Sequence, residues 1–193
     1  MLINCVAYQA GSKLAEITVP QIGEYLIKPE CFVWVALKDP SDEDLLQLQQ
    51  QFGLHELAVE DAMHGHQRPK IEEYGSTVFT VMHTVEYTPK DEIQVGELCI
   101  FVGPNFVLSV RNRSTQGFLG VRERAERESE LLRHGSSFVF YALMDAVVDR
   151  YFPVIDRMED DLDAIESEIF KPGNARQHIE QLYDLKRRVG VVR

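Results

Sequence analysis

Residues 32–53, FVWVALKDPSDEDLLQLQQQFG, decide the fold class. Phe32 to Leu37 is a continuous apolar run of strand length, the pattern of a strand covered on both faces. Asp39-Pro40 ends it. Ser41 then takes the N-cap of a helix, with Asp44 three residues on in a capping-box role. Leu45, Leu46, Leu48 and Phe52 supply that helix's apolar side, and Gly53 terminates it. Upstream, Leu2 to Tyr8 and Lys13 to Val19 alternate as two strands joined through Gln9-Ala10-Gly11-Ser12. Downstream, Val78 to Tyr87 and Glu97 to Val102 are strand-like, and Gly103-Pro104-Asn105 turns tightly into Phe106 to Val110 as a hairpin. Strand, helix and strand over 32–87, followed by consecutive strands, give an α/β chain with a mixed sheet flanked by helices. Gln116 to Arg133 reads as a polar helix whose Arg and Glu pairs form a solvated face.

The last third has a different period. From Met144, apolar residues recur at 144, 148, 151, 155, 158, 162, 165 and 169, in alternating steps of four and three. This heptad seam predicts a long helix packed along its length on another helix. Pro153 removes one backbone hydrogen bond within it, so a bend is expected there. Lys171-Pro172-Gly173-Asn174 breaks the helix. Ile179, Leu182, Leu185, Val189 and Val192 begin a second amphipathic helix that returns antiparallel and runs in mid-pattern to Arg193, as in a truncated chain. The reading therefore divides the chain into a mixed α/β domain, 1–133, and a helical hairpin, 134–193.

Composition excludes several classes. With 193 residues, 45% of them hydrophobic and 26% charged, the chain can bury a proper core. Its apolar runs, such as 98–102 and 106–110, fall far short of the roughly eighteen residues of a membrane span. Met1-Leu2-Ile3-Asn4 does not begin a secretory signal. Cys5, Cys31 and Cys99 are odd in number, widely spaced and set in apolar runs, which reads as reduced core thiols in a cytosolic setting. The net charge of −11 opposes nucleic-acid binding and suits a domain that attracts cations. No nucleophile with its base, no phosphate-cradling glycine loop and no tight metal triad marks an enzyme; Gly117-x-x-Gly120 is too sparse. His64-Gly65-His66 lacks the cysteines or second histidine pair of a zinc site. His55 reads as a helix-start residue, His83 as a strand residue, and His134 and His178 as surface residues.

Two groups of acids remain. In LHELAVEDAMHGHQRPKIEEY, residues 54–74, a helical reading puts Leu54, Leu57, Ala58 and Asp61 on one stripe. Asp61 then points along the face to be buried and lies near a helix C-terminus, where the dipole disfavours an anion. It needs a cation: Arg68, Lys70, a divalent metal or a neighbouring subunit can supply one. The second group is a line of acids beside the heptad seam. Asp145 and Asp149 are one turn apart, and Asp156, Asp160 and Asp163 continue near the same side, with Glu159 and Asp161 adjacent. Only Arg150 and Arg157 are basic within 141–170. The returning helix, with Arg176, Lys186, Arg187 and Arg188, can neutralise part of the line. Alternatively, these carboxylates are hard oxygen ligands for a partly hydrated divalent cation such as Mg2+.

Both groups carry a family resemblance. Glu60-Asp61, the run His66-Gln67-Arg68-Pro69-Lys70-Ile71-Glu72-Glu73-Tyr74 and the distant Asp145-Ala146-Val147-Val148-Asp149-Arg150-Tyr151-Phe152 resemble the soluble domain of CorA-type divalent-cation channels. The resemblance covers most of the chain and is weakest over residues 1–30. The family's Gly-Met-Asn pore signature and two membrane helices do not occur in it. The resemblance implies a magnesium-sensing regulatory domain of a Mg2+/Co2+ channel, on the cytosolic face of the plasma (inner) membrane. It implies a homopentamer in which divalent ions between subunits hold the pore closed when magnesium is plentiful. By motif position the resemblance makes Asp61 the principal ligand at the subunit interface, with Glu60 and Asp145 contributing to the surroundings of that ligand or to a neighbouring site. Asp61's partner acid in that family belongs to a stalk helix past the position of Arg193. Mg2+ is the implied regulatory ion, with Co2+ and Zn2+ as alternatives. The related zinc-transporting branch is one alternative; a non-transport oligomeric scaffold, with Asp61 paired to Arg68, is another.

Overall fold

The computed structural model describes residues 1–90, 92–169 and 175–192. Its centre is a seven-stranded mixed sheet, built from β1 (Leu2–Gln9), β2 (Ser12–Glu16), β3 (Cys31–Lys38), β4 (Lys70–Tyr74), β5 (Thr77–Tyr87), β6 (Ile93–Val102) and β7 (Phe106–Asn112). The spatial order is β2-β1-β3-β7-β6-β5-β4. Only β3 and β7 run parallel; every other neighbouring pair is antiparallel. Residues 32–37 are indeed the middle of a central strand. Val33 and Val35 belong to one core and Phe32 and Trp34 to the other, all almost fully buried.

Each face has its own set of helices. α1 (Ile22–Leu26), α2 (Asp42–Phe52) and α3 (Glu56–His64) cover the first face through Ile22, Leu45, Leu48, Ala58, Val59 and Ala62. α4 (Leu119–Arg127), α5 (Ser129–Leu132) and α6 (Ser136–Asp149) cover the second, through Ala125, Leu132, Phe138, Val139, Leu143 and Val147. α7 (Phe152–Ile169) and α8 (Ala175–Val192) pair antiparallel and share a third, smaller core of Val154, Met158, Ile165 and Leu185 with Val85 of β5. All three cysteines are buried and unbridged.

Capping chemistry starts α2 where the sequence places it. Ser41 accepts from the Asp44 N–H at 3.2 Å, and Asp44 accepts from the Ser41 N–H at 3.1 Å. Gly53 closes the helix in the left-handed region at φ 63°, which glycine adopts with no side-chain penalty. Ser41→Ala is expected to cost about 1 kcal/mol in urea unfolding, the usual worth of such a cap.

Several expectations are corrected. The seam from Met144 is not one bent helix: α6 ends at Asp149 and α7 begins at Phe152. Pro153 sits in the first turn of α7, where its missing N–H has no helical partner to lose, so the break falls upstream of it. On α6 the buried stripe is 138, 139, 142, 143 and 147, so Val148 is 51% exposed. On α7 the seam half holds: Met158 and Ile165 are buried, while Ile155 and Leu162 stay open. The polar stretch 116–133 is two helices, α4 and α5, parted at Glu128. Leu46 and Leu57 face solvent, and His178 is buried. Lys70–Tyr74, to which the sequence reading gives no element, is an edge strand paired with β5, and the second strand ends at Glu16 before a 3-10 turn at Val19–Gln21. The break at 171–174 lies outside the described residues.

Candidate functional site

α3 is held at both ends. His55 is its N-cap, its ring nitrogen accepting from the Leu57 N–H at 3.3 Å while the ring stacks on Tyr74 at 4.3 Å. At the other end Asn112 donates to the Ala62 carbonyl at 3.2 Å. Because the inward stripe is the small set Ala58, Val59 and Ala62, the helix lies close on the sheet. Asp61 comes out on the flank of that stripe, about a quarter exposed, and meets the Lys70 ammonium at 2.7 Å. Lys70 also binds Glu72 at 2.8 Å and lies 5.7 Å from the Phe79 ring. Desolvation opposes its charge, yet the hydrogen bonds to Asp61 and Glu72 outweigh it and hold the ammonium above its ordinary pKa. The same contact depresses the Glu72 carboxyl. Of the cations the sequence offers Asp61, Lys70 is the one used; Arg68 is exposed. One Asp61 oxygen, Oδ1, has no protein partner among the described residues.

The loop between α3 and β4 is clamped from below. Gly65 and His66 both adopt positive φ, 62° and 59°, which reverses the chain. Gln67 then donates its N–H to Glu97 Oε2 at 2.9 Å and presents its carbonyl to His83 Nε2 at 3.0 Å. Glu97 and His83 are register partners on β6 and β5, and Glu97 is fully buried. Cys99 donates to the other Glu97 oxygen at 3.5 Å; burial and that neighbouring carboxylate push its thiol pKa up. The His66 ring sits 2.7 Å from the Arg113 guanidinium. The His64–Lys70 segment is thus fixed by a buried carboxylate and an imidazole, both of which the sequence reading takes only as strand residues. The available signal was a Glu and a His interrupting otherwise apolar strands.

The second group of acids lies elsewhere. Asp145 on α6 is bound by Arg124 of α4 at 2.9 Å, so part of the face taken as solvated is engaged. Asp149 is exposed at the last residue of α6. Asp161 is neutralised by Arg188 of the returning helix at 2.5 Å, as its basic character predicts, whereas Asp156, Asp160 and Asp163 stay exposed. Since α3 and α6 lie on opposite faces, the sheet separates Glu60 and Asp61 from Asp145 and Asp149. Among the described residues no three His, Cys, Asp or Glu side chains gather as a metal site. The two motif blocks do meet, at one residue. His83 holds Gln67 with its ring and accepts at its backbone carbonyl from the Tyr151 hydroxyl at 3.1 Å.

Comparison with known proteins gives this pairing of blocks a family. Residues 29–193 match the CorA-like Mg2+ transporter protein family. The chain belongs to that family. The putative metal ion transporter YfjQ of Bacillus subtilis is 35% identical over 133 residues, which is 69% of this chain and 41% of that protein. The cobalt/magnesium transport protein CorA of Thermotoga maritima is 28% identical over 157 residues, 80% of this chain and 44% of that protein. This CorA-family chain therefore spans less than half the length of either relative. Among solved structures, the full-length CmaX protein matches with a TM-score of 0.77 at 24% identity, over 100% of this chain and 59% of that one. The soluble domain of CorA from Methanocaldococcus jannaschii matches at 0.66 and 17% identity, over 97% and 73%. The ZntB cytoplasmic domain from Vibrio parahaemolyticus matches at 0.66 and 12% identity, over 96% and 73%. At these identities the likeness shows the fold. No helix among the described residues is long and apolar enough to cross a membrane.

Proposed function

We propose that this chain is the ion-sensing regulatory domain of a CorA-like divalent-cation transporter, at the cytosolic face of the membrane, and that Mg2+ is the ion it senses. Family membership supports the class. The observation that carries the sensing role is Asp61, whose carboxylate has one oxygen on Lys70 and the other without a protein partner among the described residues. A hard carboxylate of this kind suits Mg2+, which keeps most of its waters and takes one or two carboxylates. One chain supplies only part of such a site, Asp61 with the exposed Glu60 beside it. The complement then comes from another copy, in keeping with a homopentamer. In this reading Lys70 occupies Asp61 when the divalent ion is absent, and the ion competes with it. Co2+ fits the same donors. We further propose residues 1–133 as the sensing part and 134–193 as the part that passes its state on, with Asp145 and Asp149 as a weaker site at the α6–α7 junction. The fold's equal likeness to the ZntB cytoplasmic domain keeps zinc as the second candidate ion.

The thermal midpoint tests the divalent reading directly. Millimolar MgCl2 is expected to raise it by about 2–4 °C beyond NaCl of equal ionic strength, because an ion bound only by the folded state adds stability. Asp61→Asn and Asp149→Asn measured in parallel assign the gain to one group or the other. Equal shifts with both salts mean charge screening alone and remove the divalent site.

A further inference from the structure

A separate hollow lies on the opposite face of the sheet from Asp61. Its origin is a packing coincidence. Ala36 on β3 is paired directly with Ser109 on β7 and with Asn4 on β1, so three small side chains meet in the middle of the sheet. The start of α4 roofs this spot with Phe118 and Leu119, but the large side chains do not fill it. A volume of about 110 Å3 remains, enough for an ion with its water or for about three waters.

The lining is rich in donors. Trp34 borders the hollow, is 2% exposed, and its indole N–H has no acceptor among the described residues. A buried N–H without a partner costs on the order of 1–3 kcal/mol, so an occupant that accepts from it is favoured. Arg111 borders the hollow from β7 and is 7% exposed; its acceptors among the described residues are two carbonyls, those of Ser114 and Gln116, both reached by one guanidinium nitrogen. Arg122 borders it from α4, with Nε 3.3 Å from Glu126 but outside hydrogen-bond geometry. The same Glu126 oxygen also accepts from the Tyr8 hydroxyl at 2.8 Å. Asp39 and then Glu86 are the acids whose charge Arg111 feels; neither lines the hollow, and Glu86 accepts from Thr115 and Gln116. No Asp or Glu among the described residues lines the hollow.

We propose that this hollow is a binding site for a small inorganic anion of chloride or nitrate size. Two arginines and a tryptophan whose indole N–H is unpartnered among the described residues line a space that no carboxylate borders. Water there must find acceptors for its own protons, whereas an anion accepts from every donor and donates nothing. The site is independent of the cation reading, since it lies across the sheet from Asp61 and shares no residue with it.

Trp34 is the chain's single tryptophan, so its fluorescence reports the site directly. Sodium bromide is titrated against sodium gluconate, too large to enter, at fixed ionic strength. The expected result is saturable quenching of Trp34, reversed by chloride. Ala36→Val fills the hollow without touching a donor and is expected to abolish the saturable part while leaving the fold intact. Arg122→Gln is expected to raise the half-saturating bromide concentration about tenfold, and it decides the matter if Ala36→Val does not fold. Quenching that is absent or linear in bromide, or unchanged in both variants, shows a water-filled packing defect only and overturns the proposal.

Discussion

Glu86→Ala is expected to destabilise the chain by about 3–5 kcal/mol, the usual cost of removing one partner from a buried charged network. Glu86 is 5% exposed on β5 and accepts from the Thr115 N–H at 2.6 Å, the Thr115 hydroxyl at 2.9 Å and the Gln116 N–H at 3.0 Å. Without it these donors lose their acceptor. The loop 114–117 is also what Arg111 and Arg150 hold: Arg150 donates to the Gly117 carbonyl at 2.6 Å and lies 4.0 Å from the Phe118 ring. Burial lowers the pKa of both guanidinium groups and Arg111 lowers that of Arg150 further; Asp39 and Glu86 oppose the lowering at Arg111, and Glu86 opposes it at Arg150. The truncation therefore leaves buried Arg111 and half-buried Arg150 facing a loosened loop. Urea unfolding measures the loss, and a loss under about 1 kcal/mol would mean that water replaces the carboxylate without cost.

The same group gives stability a pH dependence of known sign. Desolvation raises the Glu86 pKa, but the hydrogen bonds from Thr115 and Gln116 outweigh it and leave the carboxyl below its ordinary 4.5. A depressed acid binds its proton more weakly in the folded state than in the unfolded one. Its contribution is thus complete above about pH 4.5 and disappears as pH falls through the lower folded value. In Glu86→Ala that part of the acid-induced loss should be missing.

How much of this was legible in the sequence differs by level. β3 and α2 could be read because each has an unambiguous local signature, an unbroken apolar run and a capping box closed by glycine. The α6–α7 region misled for a physical reason. Its apolar residues serve two masters: the sheet takes Val139, Leu143 and Val147, and the partner helix takes Met158 and Ile165. A single heptad drawn through both sets crosses a break that Arg150 and Tyr151 make by bonding to a loop and a strand distant in sequence. The same limit governs the candidate site. Asp61's need for a cation followed from its helical position, but the choice of Lys70 over Arg68 followed from β4. As an edge strand, β4 pairs Lys70 with Val81 and so fixes where the Lys70 side chain starts. Glu97 and His83 read only as strand residues because their role exists only once two strands are in register.

The test with the largest functional effect is Asp61→Asn in the transporter to which we propose this chain belongs. The substitution keeps size and removes charge. If a divalent ion bridges Asp61 to an acid on another subunit and stabilises the closed state, losing the ligand shifts the population towards the open one. The variant should assemble and yet conduct at magnesium concentrations that close the parent, with the half-inhibiting concentration raised at least about tenfold, the weight of one charged ligand. A purely structural pair predicts something else. Asp61 and Lys70 are each about a quarter exposed, so breaking their bond costs about 1 kcal/mol or less and leaves magnesium inhibition where it was. Lys70→Met separates the two further. Removing the competing ammonium frees the Asp61 carboxylate, so a sensor should close at lower magnesium, whereas in a structural pair this change, like Asp61→Asn, alters stability alone. Flux and thermal midpoint measured together across a magnesium titration distinguish these outcomes. If inhibition in Asp61→Asn and Lys70→Met stays at the parental concentration, Asp61 is a structural partner of Lys70 and the sensor lies elsewhere in the assembly.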